Sequence, residues 1–228
     1  MVINKPSGMG VDEVGQWLKS NFRTAVLAHR LDKPTSGLLL AAPTPRALAN
    51  LQSQFKKRLV KKEYLALAHG AVKEDSGIIT APVKRSPFNP LKFAANPSGR
   101  ASQTEYKVLE RLAIPKEYLS PSFRKSKDPL LTIVTLVRVA PRTGRTHQIR
   151  VHLKYLGHPL VGDAVYTGKK MLKNDALWCP RLFLHAARIT VKHPRTGRIL
   201  DFKSPLPLTL ERVLTLLYNG KVVGSEGG

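Results

Sequence analysis

Short apolar segments alternate along almost the whole chain with turns that are rich in proline, glycine and charged residues. Helical periodicity marks only a few of these segments, and strand-like runs predominate. There is no internal repeat and no strict alternation of polar and apolar residues. The mixture predicts an α+β fold with a mixed, largely antiparallel central sheet flanked by helices. The expected strands are residues 2–4, 38–42, 64–68, 77–80, 103–111, 130–140, 183–192 and 199–202, and the expected helices are 12–22, 45–55, 146–156 and 208–218.

No linker divides the 228 residues, and their 42% hydrophobic content is enough to bury a core. We therefore expect one domain over residues 1–228, with 224–228 as a frayed tail. Residues 82–99 predict an irregular loop, because they hold prolines and little periodicity, and 116–129 predict a flexible hairpin tip. Because a strand begins at residue 2, we expect either a minimal version of the fold or a removed upstream segment.

The chain has 38 Lys and Arg against 15 Asp and Glu, which gives a formal net charge of +23. This excess indicates a polyanionic partner, since each neutralised phosphate releases condensed counterions. Basic ribosomal proteins and nucleases share the same charge, and membranes also attract basic proteins. The cations form clusters at residues 56–62, 124–127 and 169–173, a pattern that favours a broad footprint on folded RNA over a disordered tail.

Cys179 is the single cysteine, so neither an intramolecular disulfide nor a cysteine zinc cluster can form. A lone thiol is typical of a reducing compartment, and we expect the cytoplasm, with an organelle matrix as the alternative. Apolar runs such as residues 38–42 are too short to cross a bilayer, and the first residues lack the order of a signal peptide. We expect a soluble monomer.

Asp32 lies in a polar loop between two apolar segments, and Arg30 and Lys33 flank it in sequence. Nearby positive charge favours the ionised carboxylate, which can act as a nucleophile at neutral pH. An arbitrary loop aspartate is more often a structural turn residue, here paired with Arg30. The surrounding sequence therefore has to decide between the two roles.

The sequence HRLDKPTSG at residues 29–37 resembles the H-R-L-D-x-x-T-S-G signature of the RluA-type pseudouridine synthases at every specified position. Other segments resemble further motifs of that family, in the family's order. The resemblance implies a pseudouridine synthase catalytic domain with a catalytic cleft. The segments are NKPSG at 4–8, KEYLA at 62–66, TGRTHQIRVH at 143–152, GHPLVGD at 157–163 and LHA at 184–186.

The resemblance also implies roles for individual residues. Asp32 would be the catalytic carboxylate, Tyr64 would stack on the uracil, and Arg150 would pair with Asp32. Arg30 would enter the RNA stack in place of the flipped base, or contact a phosphate, and Leu184 would line the uracil pocket. The residues expected to bind the RNA substrate are His29, Arg30, Arg145, His147, Gln148 and Leu184.

One predicted helix carries several of these residues. Thr146 is a suitable N-cap and Gly157 a suitable C-terminal residue. His147 and Arg150, three residues apart, would share one face. Arg145 precedes the helix, where the free amides of the first turn can help it bind an RNA phosphate.

The implied reaction breaks the bond between uracil and ribose, turns the ring, joins ring carbon 5 to the ribose and removes the proton from that carbon. Since neither electrons nor phosphate are exchanged, we expect no cofactor and no metal. Asp32 can attack ribose carbon 1 or ring carbon 6, or promote loss of a ribose proton to give a glycal. Each route needs an ionised carboxylate.

The sequence departs from the family after Met9, where it reads Gly-Val-Asp instead of an apolar residue, His and Pro. We expect no separate N-terminal RNA-binding module, and the target remains either rRNA or tRNA. Two other functions fit the charge. One is a non-catalytic RNA-binding protein, and the other is a metal-dependent nuclease, which the scattered acidic residues disfavour.

Overall fold

The computed structural model of the chain describes residues 1–222, so the expected tail at 224–228 lies outside the described residues. The helices are α1 (Val11–Asn21), α2 (Pro45–Lys56), α3 (Pro121–Arg124), α4 (Pro129–Thr132), α5 (Gln148–Tyr155), α6 (Lys169–Asp175) and α7 (Leu208–Val222), with one 3-10 turn at Lys116–Tyr118. The strands are β1 (Val2–Lys5), β2 (Val26–Leu27), β3 (Ser36–Ala42), β4 (Lys61–His69), β5 (Ser76–Thr80), β6 (Val83–Arg85), β7 (Phe93–Ala95), β8 (Gln103–Ala113), β9 (Ile133–Pro141), β10 (Leu184–Lys192) and β11 (Ile199–Lys203).

The contacts within the chain divide it into two compact units. The first contains residues 1–64 and 184–205, and the second contains residues 65–183 and the segment from 206 onward. No linker separates them in sequence, because the boundary falls within β4. That residues 1–228 act as one catalytic domain stays a prediction.

The first unit is built around β3, whose residues are all buried. β1 pairs with β3 in antiparallel register, with Val2 opposite Leu40, and β2 pairs with the end of β3. β10 runs parallel to β3, and β11 forms an antiparallel hairpin with β10. Alternate side chains of β3 and β10 pack with Leu51 of α2, so burial of apolar surface stabilises this unit.

The second unit has a sheet in the order β4, β9, β8, β5 and a separate β6–β7 hairpin. The long β8–β9 pair is antiparallel and contains an irregularity between Val108 and Glu110. Helix α7 contributes Leu210, Val213 and Leu217 to the core beside this sheet. Mostly antiparallel pairing with flanking helices confirms the predicted α+β class.

Helix α2 begins as its sequence predicts. The Thr44 hydroxyl accepts a hydrogen bond from the Ala47 amide at 3.2 Å, and Pro45 occupies the first turn. Within residues 1–222, none of the helices is both long enough and apolar enough to span a membrane.

Two predicted irregular segments contain regular structure. Residues 82–99 include the β6–β7 hairpin, so the prediction of an irregular loop there was wrong. Residues 116–129 lie at the tip of the β8–β9 hairpin, as predicted, but they include a 3-10 turn and α3 and bury Leu119 and Phe123 in the core of the second unit. The polar composition of residues 116–129 gave no indication that Leu119 and Phe123 are buried. The helical pieces are too short to show a helical periodicity of apolar residues.

The start of α5 was also predicted wrongly. Thr146 is not its N-cap; the helix begins at Gln148, and the capping residue is His147, with a left-handed φ of 57°. The helix ends before Gly157, whose φ of 87° agrees with the predicted C-terminal role. Helix α6 was not predicted, because its lysine-rich sequence was interpreted only as a basic cluster.

Substituting Gly37 should strongly destabilise the chain. Gly37 has a φ of 113°, and a methyl group there would overlap the Ala186 carbonyl oxygen and lie 2.6 Å from the Ala186 nitrogen. We expect Gly37→Ala to lower the free energy of unfolding by about 3 kcal/mol. In Gly15→Ala, by contrast, the methyl group meets no atom within 4 Å, and the helix should gain about 0.5–1 kcal/mol. Urea denaturation of both variants tests this, and equal midpoints would contradict the close packing of β3 against β10.

Candidate active site

A buried lysine fixes the loop that carries Asp32. Lys5 is fully buried at the end of β1. Its ammonium group donates hydrogen bonds to the carbonyl oxygens of Pro6 at 2.8 Å, Met9 at 2.9 Å and Lys33 at 3.1 Å. Burying a cation is costly unless its donors are satisfied. The three carbonyls therefore hold the loop after β1 to the residue that follows Asp32.

Further hydrogen bonds join the same two loops. The Gly8 amide donates to the Lys33 carbonyl at 2.9 Å, and the Ser7 hydroxyl donates to the Pro34 carbonyl at 2.7 Å. A turn closes when the Thr35 amide donates to the Asp32 carbonyl at 3.0 Å. The backbone on the C-terminal side of Asp32 is thus held at several points, while the Asp32 side chain is half-buried.

Tyr64 is buried in the same unit as Asp32. Burial and, secondarily, the negative charge of Asp32 raise the pKa of the Tyr64 hydroxyl far above its usual value near 10. The hydroxyl therefore keeps its proton at neutral pH and can donate a hydrogen bond, whereas it is a poor base there. The structure brings these two predicted site residues together.

His29 is half-buried in the first unit, and its ring is neutral at physiological pH. Its Nε2 accepts a hydrogen bond from the Leu40 amide at 3.1 Å, and its ring centroid lies 4.7 Å from that of Phe55. Burial and, secondarily, the charge of Lys62 lower the pKa of His29 to about 3. Burial likewise lowers the pKa of Lys62 to about 8. The contacts with Leu40 and Phe55 give His29 a structural role. The predicted contact of His29 with the substrate stays a prediction.

The other two predicted site residues of this unit differ in exposure. Arg30 is exposed, so its guanidinium group is accessible to a partner. Leu184 is buried as the first residue of β10. Next to it, His185 is also buried, with Nδ1 hydrogen-bonded to the Ser36 hydroxyl at 2.9 Å. This bond connects β10 to the strand that follows the Asp32 loop.

Arg150 lies in the second unit and is buried on α5, with 3% of its side chain exposed. Its Nε donates to Oδ2 of Asp163 at 2.7 Å, and its Nη2 donates to Oδ1 at 2.7 Å. This bidentate pair fixes the plane of the guanidinium group. The Tyr166 ring adds a cation–π contact, with its centroid 5.0 Å from Arg150 Cζ. Asp32 belongs to the other unit, and its pairing with Arg150 stays a prediction.

Gln148 anchors the start of α5. Its Oε1 accepts hydrogen bonds from the Thr143 hydroxyl at 2.6 Å and from the Arg145 amide at 3.0 Å. Its Nε2 donates to the Gln103 carbonyl at 3.0 Å and to the Thr104 hydroxyl at 2.9 Å. Gln148 is buried, so these contacts give it a structural role. They hold the loop that presents Arg145.

His147 contacts the same tyrosine that lies over Arg150. Its Nδ1 is hydrogen-bonded to the Tyr166 hydroxyl at 2.9 Å, and that hydroxyl also accepts the Phe93 amide at 2.9 Å. Tyr166 therefore joins α5 to strand β7. The predicted RNA contacts of His147, Gln148 and Arg145 stay predictions.

A buried hydrogen-bonded pair, Asp175 and His69, fixes the loop that presents Asp163. Oδ2 of Asp175, at the end of α6, accepts a hydrogen bond from the Gly162 amide at 2.9 Å. The same oxygen lies 3.1 Å from Nε2 of His69. Gly162 has a φ of 70°, and a methyl group there would overlap the Arg181 carbonyl. The backbone immediately before Asp163 is thus held by a carboxylate and by a close approach that only glycine permits.

Sequence reasoning assigned no role to Lys5, Asp163 or Tyr166. Lys5 and Asp163 both lie inside segments that resemble family motifs, and Asp163 is one of only 15 acidic residues. A scarce acid inside a motif was therefore an available signal for the partner of Arg150. Tyr166 lies outside the quoted motifs and carried no signal of that kind. In residues 1–222, His, Cys, Asp and Glu side chains form no group of three or more that could hold a metal ion.

Comparison with known proteins assigns the family. Residues 1–155 match the family described as RNA pseudouridylate synthase. The chain belongs to this family. The matched range contains the loop of Asp32, Tyr64 and Arg150, and the resemblance read from the motifs is confirmed at the level of the family.

Relatives of the pseudouridylate synthase family match over most of the chain. The ribosomal large subunit pseudouridine synthase C of Vibrio parahaemolyticus is 36% identical over 225 residues, which are 94% of this chain and 65% of the relative. An RNA pseudouridine synthase of Chloroflexus aurantiacus is 38% identical over 95% of this chain and 66% of the relative. The chain thus spans about two thirds of the length of these curated relatives.

A solved structure supports the same fold. The human RNA pseudouridylate synthase domain containing 1 is 30% identical, with a TM-score of 0.73, over 90% of this chain and 79% of that chain. The pseudouridine synthase fold predicted from the motifs is therefore confirmed.

Asp163→Asn tests the buried ion pair of the second unit. The substitution keeps the shape of the side chain and removes the charge that accepts two hydrogen bonds from Arg150. We expect the free energy of unfolding to fall by about 3 kcal/mol or more, since breaking a buried pair leaves the remaining charge poorly compensated. The matched control is Asp201→Asn, which breaks the exposed bidentate pair with Arg188. Solvent screens that pair, so its loss should matter far less, and equal effects in chemical denaturation would refute the prediction.

His29 should make the stability of the chain pH-dependent. The pKa of the folded state, about 3, lies below the unfolded value of 6.5, so the unfolded chain binds the extra proton between these values. The contribution of neutral His29 to the free energy of unfolding is therefore present above pH 6.5. It is lost as the pH drops toward 3, and the loss amounts to about 2 kcal/mol between pH 7 and pH 5. His29→Gln should lose this contribution, so its curve of unfolding free energy against pH should be flatter than that of the wild type. Parallel curves would show that the fold does not hold His29 as a neutral ring.

Proposed function

We propose that the chain isomerises uridine to pseudouridine in RNA, with Asp32 as its catalytic carboxylate. The observation that carries the proposal is the family match over residues 1–155, which contains the complete loop at 29–37. The relatives are named as pseudouridine synthases of the large ribosomal subunit or of RNA. The +23 formal charge supports a polyanionic substrate.

Asp32 performs the chemistry that an ionised carboxylate allows. The bond from ring nitrogen 1 to ribose carbon 1 breaks, a bond from ring carbon 5 to the same ribose carbon forms, carbon 5 loses its proton and nitrogen 1 gains one. The carboxylate attacks ribose carbon 1 or ring carbon 6, or promotes a glycal intermediate. The tie from Lys5 to the Lys33 carbonyl supports this role, because it restrains the backbone beside the carboxylate.

Tyr64 receives the base after it leaves the RNA stack. Extrusion of a paired uridine costs a few kcal/mol, and stacking on an aromatic ring returns about 1–3 kcal/mol. The raised pKa of its hydroxyl supports a role as a ring surface and hydrogen-bond donor over a role as a base. Leu184 supplies an apolar wall of the uracil pocket.

The cations have different tasks. Arg150 pairs with Asp32 and orients it, and the fixed guanidinium plane supports this role, because a bidentate group must be oriented to be useful. The exposed Arg30 enters the RNA stack in place of the flipped uridine. Arg145, His147 and Gln148 form the part of the RNA site at the start of α5, with His29 at the edge of the Asp32 loop.

The proposed substrate is large-subunit ribosomal RNA. Both rRNA and tRNA fitted the sequence as targets, and the names of the relatives, which are ribosomal large subunit pseudouridine synthases, favour rRNA. We also propose that the protein acts as a monomer in the cytoplasm. No cofactor is needed, because the isomerisation is redox-neutral.

Asp32→Asn is the direct test of the proposal. The amide cannot act as a carboxylate nucleophile, so we expect the rate of pseudouridine formation to fall at least about a thousandfold. Release of tritium from an unmodified large-subunit rRNA transcript made with 5-tritiated uridine measures this rate. RNA binding should persist within a few-fold, since one half-buried carboxylate adds little to a polyanion site.

The two other functions predict different results. A non-catalytic RNA-binding protein releases no tritium with either chain, and a metal-dependent nuclease shortens the transcript and stops in excess chelator. We expect intact RNA and undiminished tritium release in excess EDTA. Substantial tritium release by Asp32→Asn would remove Asp32 from its proposed role.

A further inference from the structure

An open cleft of about 450 Å³ lies on the second unit between the segment that joins β8 to β9 and helix α6. Sequence analysis singled out both of these segments as separate basic clusters. Residues 116–129 carry four cations and two acids, and residues 168–174 carry three lysines and no acid. The cleft is therefore the place where two clusters that are distant in sequence contribute to one surface.

The wall of this cleft combines charge, hydroxyl groups and apolar surface. Lys125 and Lys170 line it from opposite segments and are both exposed. Ser122 and Ser126 line the same side as Lys125. None of the described residues that line the cleft is acidic. Its apolar lining is Phe123, Leu131 and Met171.

The cleft is built on an anchored frame. The Ile114 amide donates to the Thr132 carbonyl at 2.8 Å, which closes the base of the segment. The Ser120 amide donates to Oδ1 of the buried Asn174 at 2.8 Å, which ties the segment to α6. Phe123 belongs to the core of the unit. The positions of the two lysine backbones are thus fixed relative to each other.

We propose that this cleft, the lysine cleft, is a second RNA-binding site that takes a phosphate and the adjoining nucleoside. Lys125 and Lys170 bind the phosphate as point charges, while the serine hydroxyls donate hydrogen bonds to its oxygens. The ribose and the base lie against Leu131 and Met171. The identification of RNA as the ligand rests on the proposed function. The positive charge of the lining by itself predicts only that the ligand is an anion.

The volume and composition of the lysine cleft agree with this occupant. Sites for small ligands measure about 300–1,000 Å³ and combine an apolar lining with a few placed polar groups. An open cleft suits a chain that must continue beyond the site at both ends. Proteins that bind single-stranded RNA without sequence preference combine cations along the backbone with a surface on which a base can lie.

The test compares two double variants in the Asp32→Asn chain, so that no turnover occurs. The first is Lys125→Ala with Lys170→Ala. The matched control is Lys73→Ala with Lys107→Ala, which removes the same charge from exposed positions of the same unit. Glu74 and Asp75 lie beside Lys73 in sequence, and Lys107 pairs in register with Ser76, next to Asp75.

Binding to an unmodified large-subunit rRNA transcript is measured at several salt concentrations. Loss of the lysine cleft should raise the Kd about tenfold near physiological salt and reduce the slope of log K against log salt by about 0.7–0.9, because one phosphate contact is lost. The control should change the Kd less than twofold. Equal effects of the two double variants would overturn the proposal, because only total charge would then matter.

A charge-conserving variant separates phosphate binding from a structural effect. Lys125→Arg with Lys170→Arg should keep the Kd within about threefold, since either cation binds phosphate. A tenfold loss in this variant would also overturn the proposal. The outcome is independent of the catalytic role of Asp32: a wild-type chain without synthase activity but with the predicted Kd pattern refutes only the proposed function, and an active chain without that pattern refutes only the lysine cleft.

Discussion

The buried ammonium group of Lys5 is the interaction on which the candidate active site depends. An unsatisfied cation in a protein interior costs several kcal/mol, so the chain must bring enough acceptors to it. It does so with three carbonyls from two loops, one of which is the carbonyl of Lys33 beside Asp32. The backbone beside Asp32 is therefore restrained by a requirement of the fold.

In the second unit, a carboxylate compensates the charge of a buried cation. Arg150 is as deeply buried as Lys5, but its planar, forked group is matched by Asp163, and the resulting pair fixes an orientation as well as a position. The Gly162 amide, held by Asp175, extends the restraint into the loop. Buried polar groups thus set the geometry of catalytic candidates in both units, and apolar packing supplies the frame around them.

The remaining positive charge is distributed differently. Lysines of the segment before β9 and of α6 are exposed, so they add little to stability and remain available to a polyanion. Buried cations hold the loops of the proposed catalytic residues, and exposed ones form the surface on which RNA is proposed to lie. This division explains how a chain of such high charge keeps a compact core.

Sequence alone determined the fold class, the family and the main helices and strands, because apolar periodicity, caps such as Thr44 and motif spacing act over a few residues. It also identified Asp32, Tyr64 and Arg150 as candidates. Only the tertiary structure decided that Asp163 holds Arg150, that Lys5 supports the Asp32 loop, that His29 is a neutral, half-buried ring, and that Leu119 and Phe123 anchor residues 116–129 in the core. The reason is physical: the cost of burying a charge, and the partners that offset it, depend on residues far apart in sequence that only the folded chain brings together.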